Sequence, residues 1–307
     1  AFLIFVAINK YPSMILNFIH WSVEPEIFPN TSIPIRWYGL FFVLAFYISY
    51  ILLNRIFKKE GKDIQLLDKL TMYMLVATIV GARLGHCLFY GPHFDTFGLN
   101  GEIIERGFLS HPIDILKIWE GGLASHGAAI AIIIAIVLFA RKHKETSFFW
   151  IMDRVVIMVA MAGFWIRMGN LVNSEIIGKP TSLAWGFIFE KLEPYGVFGP
   201  HHPAQLYEAL SYLALFFFLL WFYYKKDGKA RSGQIFGIFL IVLFVARFLI
   251  EYVKEDQVGF ESDMVLNMGQ WLSIPFILIG IAILIFVKDK QEELTPIVDD
   301  KPEEISS

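Results

Sequence analysis

The sequence predicts an all-α integral membrane protein with about seven transmembrane helices, its N-terminus outside and its C-terminus in the cytoplasm. Three observations carry this. The composition is too apolar for a soluble domain: 56 % of the 307 residues are hydrophobic and 18 % charged, against about 45–50 % and about 25 % in soluble domains. The apolar residues gather in seven long stretches. The connections between those stretches alternate between rich and poor in basic residues.

Residues 1–35 form an N-terminal segment expected on the outer side. Its run Ala1–Ile8 is apolar but short and follows no basic residue, so it lacks the form of a signal peptide; Met14 is an alternative natural start. The transmembrane domain spans 36–287, with helices over about 36–57, 66–90, 121–140, 148–168, 204–224, 233–253 and 268–287. Each approaches the roughly 20 residues needed to cross a hydrocarbon core of about 30 Å. Breakers at Gly121-Gly122 and Pro203 stand at the starts of the third and fifth spans. Loops 91–120 and 169–203 lie outside. The tail 288–307 is polar, acidic and contains Pro296 and Pro302, a composition that favours disorder.

Orientation follows from the basic residues. Arg55, Lys58, Lys59 and Lys62 follow the first span, Arg141, Lys142 and Lys144 the third, and Lys225, Lys226, Lys229 and Arg231 the fifth. The alternate connections are longer and carry fewer. Short basic loops stay in the cytoplasm.

With directions assigned, polar residues acquire depths. Tyr38, Arg83, His86, Tyr90, His126, Arg167, Asn170, Gln205, Glu208, Arg247, Glu251, Asn267 and Gln270 all fall at outer span ends. The inner halves are apolar apart from Asp153 and Arg154, read as a structural pair. An arginine at a helix centre costs about 2.5–3.5 kcal/mol on insertion scales, and less near an interface. One such residue can snorkel to the headgroups. Arg83, Arg167 and Arg247 on separate spans point instead to a shared outer pocket for an anionic headgroup, since guanidinium groups hold phosphate through paired donors. Trp37, Trp119 and Trp150 read as interfacial anchors, and Gly81, Gly85 and Gly127 as close-packing positions.

The net charge of −3 argues against nucleic acid as a partner. The single cysteine, Cys87, excludes an internal disulfide and a cysteine-rich metal site. No metal or cofactor is expected: phosphate-cradling glycine loops, nucleophile elbows and His-Glu-x-x-His helices are absent from the sequence. An anion transporter or channel would need polar residues through the full depth and often a repeat. A lipid-binding scaffold without chemistry is a further alternative.

The segment Arg167-Met168-Gly169-Asn170-Leu171-Val172-Asn173-Ser174-Glu175-Ile176-Ile177-Gly178 resembles the signature of prolipoprotein diacylglyceryl transferases, Gly-Arg-x-Gly-Asn-Phe-x-Asn-x-Glu-x-x-Gly. Arg36-Trp37-Tyr38-Gly39, Gly81-Ala82-Arg83-Leu84-Gly85, Gly121-Gly122 through His126-Gly127, His202-Pro203 with Gln205 to Glu208, Arg247 with Glu251, and Met268-Gly269-Gln270 resemble further family segments in the same order. The likeness covers roughly 14–287. Ile166, Leu171, Ala128 and Lys254 depart from it, where the family has Gly, Phe, a second Gly and Arg. Lys254 keeps the charge of the usual Arg but not its fork.

The resemblance implies a transferase of the bacterial inner membrane, its active site toward the outer leaflet, that performs the first step of lipoprotein maturation. It would move the diacylglyceryl group of phosphatidylglycerol to the lipobox cysteine of a prolipoprotein signal peptide, forming a thioether and releasing glycerol phosphate. It implies Arg167 and Arg247 as phosphate-binding catalytic residues, with Glu251 orienting Arg247. His126 would accept the thiol proton or donate a hydrogen bond. Asn170, Asn173 and Glu175 would hold headgroup hydroxyls and fix the loop. Arg83, Tyr38, Tyr90, Gln205 and Gly178 complete the implied substrate-binding set.

Overall fold

Seven helices form where the apolar stretches lie: α1 (Trp37–Lys59), α2 (Ile64–Phe89), α3 (Ser125–Lys142), α4 (Phe148–Val172), α5 (Ala204–Lys225), α6 (Gln234–Ile250) and α7 (Met268–Phe286). The structure, a computed structural model, describes residues 18–29, 35–97, 103–117, 122, 124–255 and 264–287. Residues 1–17 of the N-terminal segment, the tail 288–307, Trp119 and Gly121 lie outside the described residues. All seven helices, α6 together with the turn that follows it, are long and apolar enough to cross a membrane, and the chain is a multi-pass membrane protein. A helix satisfies its own backbone groups in lipid, where an open strand cannot. Many large apolar side chains therefore remain on outward faces, among them Val43, Tyr47, Ile134, Leu278 and Ile285.

Helix starts are set by side chains that accept orphan amide protons. Asp63 accepts from the Gln65 amide at 2.9 Å at the head of α2. Asn267 and Gln270 form a reciprocal capping box at the head of α7, at 2.9 and 3.1 Å. The sequence reading placed these two at the outer start of the seventh span, where they cap the helix.

Two compact units divide the chain, one comprising residues 1–52 and 152–292, the other 53–151 and 293–307. In the first, α6 packs on α7 and α5, and a three-stranded sheet lies beyond the helices. The sheet runs in the order β1 (Ile19–Trp21), β4 (Phe187–Phe189), β5 (Pro200–His201), β1 parallel to β4 and β4 antiparallel to β5. Leu171, Ile177, Phe187 and Phe189 make a buried cluster beneath it, and the Trp21 indole donates to the Leu171 carbonyl at 2.9 Å. In the second, α2 and α3 pack through small residues: a Cβ on Gly81 would lie 2.6 Å from the Gly127 carbonyl oxygen, and one on Gly85 2.7 Å from the Gly127 Cα. A hairpin, β2 (Thr96–Phe97) with β3 (Ile103–Glu105), and a 3-10 turn (Pro112–Leu116) follow α2.

Asp153 and Arg154 both grip the α5–α6 connection. The Asp153 carboxylate accepts from the Gly233 and Phe236 amides, each at 2.8 Å, and Arg154 donates to the Gly228 carbonyl at 3.2 Å. Asp153 thus caps α6 from within α4. Asp153→Ala leaves two buried donors unmet, at about 1–3 kcal/mol each. The expected result is a melting temperature lowered by several degrees in detergent, with turnover per folded molecule nearly unchanged. An unaltered melting temperature would exclude this capping role.

Candidate active site

The signature residues sit where α4 ends. Arg167 and Asn170 stand three residues apart on one helix face, and the Arg167 Nη1 donates to Asn170 Oδ1 at 3.1 Å. The chain then turns sharply: Ser174 (φ 55°) and Ile176 (φ 60°) take the left-handed conformation on either side of Glu175. For a β-branched residue this is strained, at about 1–3 kcal/mol. The turn aims the Glu175 carboxylate back at the helix end, where its Oε1 accepts from the side-chain amides of Asn170 at 2.7 Å and Asn173 at 3.2 Å. The Gln205 amide donates to the Glu175 carbonyl at 2.6 Å, so Gln205 holds the loop backbone. Gly178 lies at a three-way junction: a Cβ there would fall 2.5 Å from the Val253 carbonyl oxygen and 2.6 Å from His202 Cβ. Only glycine lets these chains approach so closely.

A row of alternating charges adjoins the loop. Arg167 Nε lies 2.8 Å from Glu208 Oε2, Glu208 Oε1 lies 3.6 Å from Lys254 Nζ, and Lys254 Nζ lies 3.0 Å from Glu251 Oε2. Glu208 is 0 %, Lys254 3 % and Glu251 5 % exposed. The Glu208 oxygens meet their cations as ion pairs, without well-aligned hydrogen bonds. Tyr212, one turn from Glu208 on α5, also hydrogen bonds Arg167. Tyr38 stands within electrostatic reach of both Glu175 and Arg167.

One expectation is corrected here. The ion-pair partner of Glu251 is Lys254, and among the described residues Glu251 and Arg247 form no ion pair. The reason is local: α6 gives way to a 3-10 turn, Glu251–Val253, whose three-residue period stacks Lys254 over Glu251. Arg247 lies close enough to Tyr212 to be felt by it. Among the described residues its guanidinium has no hydrogen-bond or ion-pair partner.

Arg83, Tyr90 and His126 belong to the second unit. Arg83 was expected on phosphate, but it is 5 % exposed and donates to the carbonyls of Ile115 at 2.9 Å, Asp114 at 2.5 Å and Gly122 at 3.3 Å. Its guanidinium lies over the Phe108 ring. It clamps the segment before α3 rather than offering free donors. Gly122 (φ 71°) permits the turn there, and a Cβ would meet the His86 ring at 2.6 Å. The Ala124 amide donates to the Ala82 carbonyl at 2.9 Å, which sets the start of α3 and with it His126, exposed at the second helical position. Tyr90 follows α2, stacked parallel to His86 and exposed.

The geometry thus gathers Tyr38, Arg167, Asn170, Asn173, Glu175, Gly178, Gln205 and Glu251 in one unit, with Arg247 beside Tyr212. The family model for prolipoprotein diacylglyceryl transferase matches residues 25–286. The chain belongs to this family. Among its relatives, the phosphatidylglycerol–prolipoprotein diacylglyceryl transferase of Tolumonas auensis is 44 % identical over 267 residues, covering 87 % of this chain and 96 % of the relative. That of Chloroherpeton thalassium is 40 % identical over 91 % of this chain and 97 % of its own, and that of Porphyromonas gingivalis 43 % identical over 87 % and 94 %. In this diacylglyceryl transferase family member, Glu208 and Tyr212 are residues that sequence reasoning left out of the site. Their spacing along α5 was the available signal.

Proposed function

We propose that this chain transfers the diacylglyceryl group of phosphatidylglycerol to the lipobox cysteine of a prolipoprotein, at the outer face of the bacterial cytoplasmic membrane. The basic inner loops support that orientation, with the N-terminus outside. The observation that carries the reading is the Arg167–Asn170–Glu175 cluster at the end of an apolar span, with Arg247 on α6 unpaired among the described residues. Family membership supplies the reaction class.

In the transfer, the substrate thiolate attacks the glycerol carbon that bears the phosphate. A carbon–sulfur bond forms, the carbon–oxygen bond breaks, and glycerol phosphate leaves with the bonding electrons. Charge builds on the departing phosphate, so fixed donors aimed there lower the barrier. Arg247 takes that role with paired donors. Arg167, held by Glu208 and Asn170, contributes fixed positive charge, while Asn173 and Glu175 face the headgroup hydroxyls. Tyr38 and Gln205 keep the loop in place, and Arg83 orders the segment leading to α3. His126 keeps two roles open to an imidazole, proton acceptor for the thiol or hydrogen-bond donor. The signal helix of the protein substrate enters from the lipid.

Purified protein given phosphatidylglycerol and a lipobox peptide should add one diacylglyceryl group per peptide cysteine, followed by peptide mass. Phosphatidylethanolamine should be a poor donor, since its ammonium meets the same cations. Equal rates with both lipids would remove the electrostatic basis of donor choice, and an unmodified peptide would overturn the proposal.

Cys87 is not the nucleophile in this scheme. It is buried, 4 % exposed, so its sulfur is shielded from an incoming lipid. One direct displacement needs no enzyme thioether. Cys87→Ala should therefore retain nearly full turnover, and no lipid adduct should form on the enzyme without peptide. A folded but inactive variant, together with an adduct on Cys87 in the unmodified chain, would establish a two-step exchange instead.

A further inference from the structure

The proposed transfer leaves one buried hydroxyl of the first unit without a task. Tyr212 stands on α5, one turn from Glu208, and is 5 % exposed. Its ring lies against α4 at Gly163, where a Cβ would fall 2.9 Å from Tyr212 Cδ2. Gly163 and Arg167 are four residues apart on α4 and so share a face. A ring seated at Gly163 therefore carries its hydroxyl to the Arg167 guanidinium, and the two are hydrogen bonded.

A phenol has one proton to donate and an oxygen that accepts, whereas a guanidinium can only donate. Arg167 thus occupies the Tyr212 oxygen and leaves the proton free. Glu208 is the carboxylate one turn away on the same helix, yet neither of its oxygens takes a hydrogen bond. Among the described residues no other acceptor meets the hydroxyl. A buried donor left unmet is unfavourable, and more so within an apolar span.

The surrounding charges say which acceptor fits. Arg167 touches the hydroxyl, and Arg247 on α6 lies near enough to act on it electrostatically. Glu208 is shared between Arg167 and Lys254, while Arg247 has no hydrogen-bond or ion-pair partner among the described residues. A free proton beside two guanidinium groups suits an anion with several acceptor oxygens. Phosphate has enough of them to take the paired donors of an arginine and a hydroxyl together.

We propose that the Tyr212 hydroxyl donates a hydrogen bond to the phosphate of the lipid substrate, as a further donor beside Arg247 and Arg167. This rests on the transfer proposed above and adds to it a residue that the resemblance does not supply. As the carbon–oxygen bond breaks, charge builds on the phosphate and the bond from the hydroxyl strengthens. A neutral donor gives this without adding a third cation to a buried site.

The test uses the full chain in detergent and reads two quantities: binding of glycerol phosphate by calorimetry, and transfer from phosphatidylglycerol to the lipobox peptide. Tyr212→Phe keeps the ring against Gly163 and removes only the hydroxyl, so the melting curve should move little. It should weaken glycerol phosphate binding roughly tenfold and lower turnover roughly a hundredfold. A hydroxyl that served only to accept from Arg167 could give the same losses, so a second protein carries ortho-fluorotyrosine at position 212. The fluorine makes the hydroxyl a stronger donor and its oxygen a weaker acceptor. Below neutral pH, where this phenol keeps its proton, the fluorinated protein should hold glycerol phosphate at least as tightly as the original. Weaker binding there would overturn the donor role in favour of an acceptor that positions Arg167. Unchanged binding in Tyr212→Phe would overturn the contact altogether. A chain that binds glycerol phosphate through Tyr212 yet modifies no peptide would uphold the donor and sink the transfer, so the two failures are distinguishable.

Discussion

Arg247→Lys should lower turnover roughly a hundredfold, the scale of losing one well-placed donor to a developing oxyanion, in a protein that inserts and melts as before. The expectation rests on a contrast within one unit. Arg167 is engaged by Glu208, Asn170 and Tyr212, and Lys254 by Glu208 and Glu251. Arg247 alone among these cations lacks a hydrogen-bond or ion-pair partner among the described residues. A cation kept without a partner at the end of an apolar span is poorly explained by stability and well explained by an incoming anion. Lysine preserves the charge but offers a single donor centre where guanidinium offers a planar pair. Because Arg247 has no hydrogen-bond or ion-pair partner among the described residues, its replacement breaks no such bond there, and the melting curve should not move. Arg231→Lys is the control, since Arg231 donates to the Leu284 carbonyl at the far end of α6, and lysine can do the same. Near-normal turnover in Arg247→Lys would mean that charge suffices or that the residue is structural.

The contrast also marks how far the sequence could be read. The spans were legible because hydropathy is a local property: α1, α4 and α5 begin within a residue of expectation. Close packing at Gly81, Gly85 and Gly127 was legible too, since small residues among large ones on a lipid-bound helix have few other uses. Depth was readable for Arg83, but depth does not say what a guanidinium faces, and here it faces carbonyls. Glu251 was given to Arg247 by the family resemblance; a 3-10 turn that no local signal announced gave it to Lys254. The strands β1, β4 and β5 hold two or three residues each, too few for an alternating pattern. Glu208 was noticed as a polar residue at a span end, but its partners come from α4 and from beyond α6, over distances in sequence that no spacing rule reaches.

Glu208→Gln should be the most damaging single change in the first unit. Glu208 is fully buried and stands between Arg167 and Lys254. Removing its charge leaves two buried cations facing a neutral amide, and breaking a buried pair from one side costs about 3–5 kcal/mol. The expected result is a large fall in melting temperature and loss of measurable turnover. A fall in both cannot separate folding from chemistry, so a second change is needed. Glu208→Gln combined with Lys254→Met removes one charge of each sign and restores the balance. Replacing a buried ion pair by uncharged groups of similar volume is often neutral for stability, but Glu251 also loses its partner Lys254, so the double variant should regain part of the lost melting temperature. Its turnover should stay low, because Arg167 Nε has lost the carboxylate that fixed its fork beside Asn170. A Glu208→Gln protein that melts like the original would show the charge row to be dispensable for folding. A double variant that recovers full turnover would show that Glu208 serves folding alone, leaving Arg167 to be positioned by Asn170 and Tyr212.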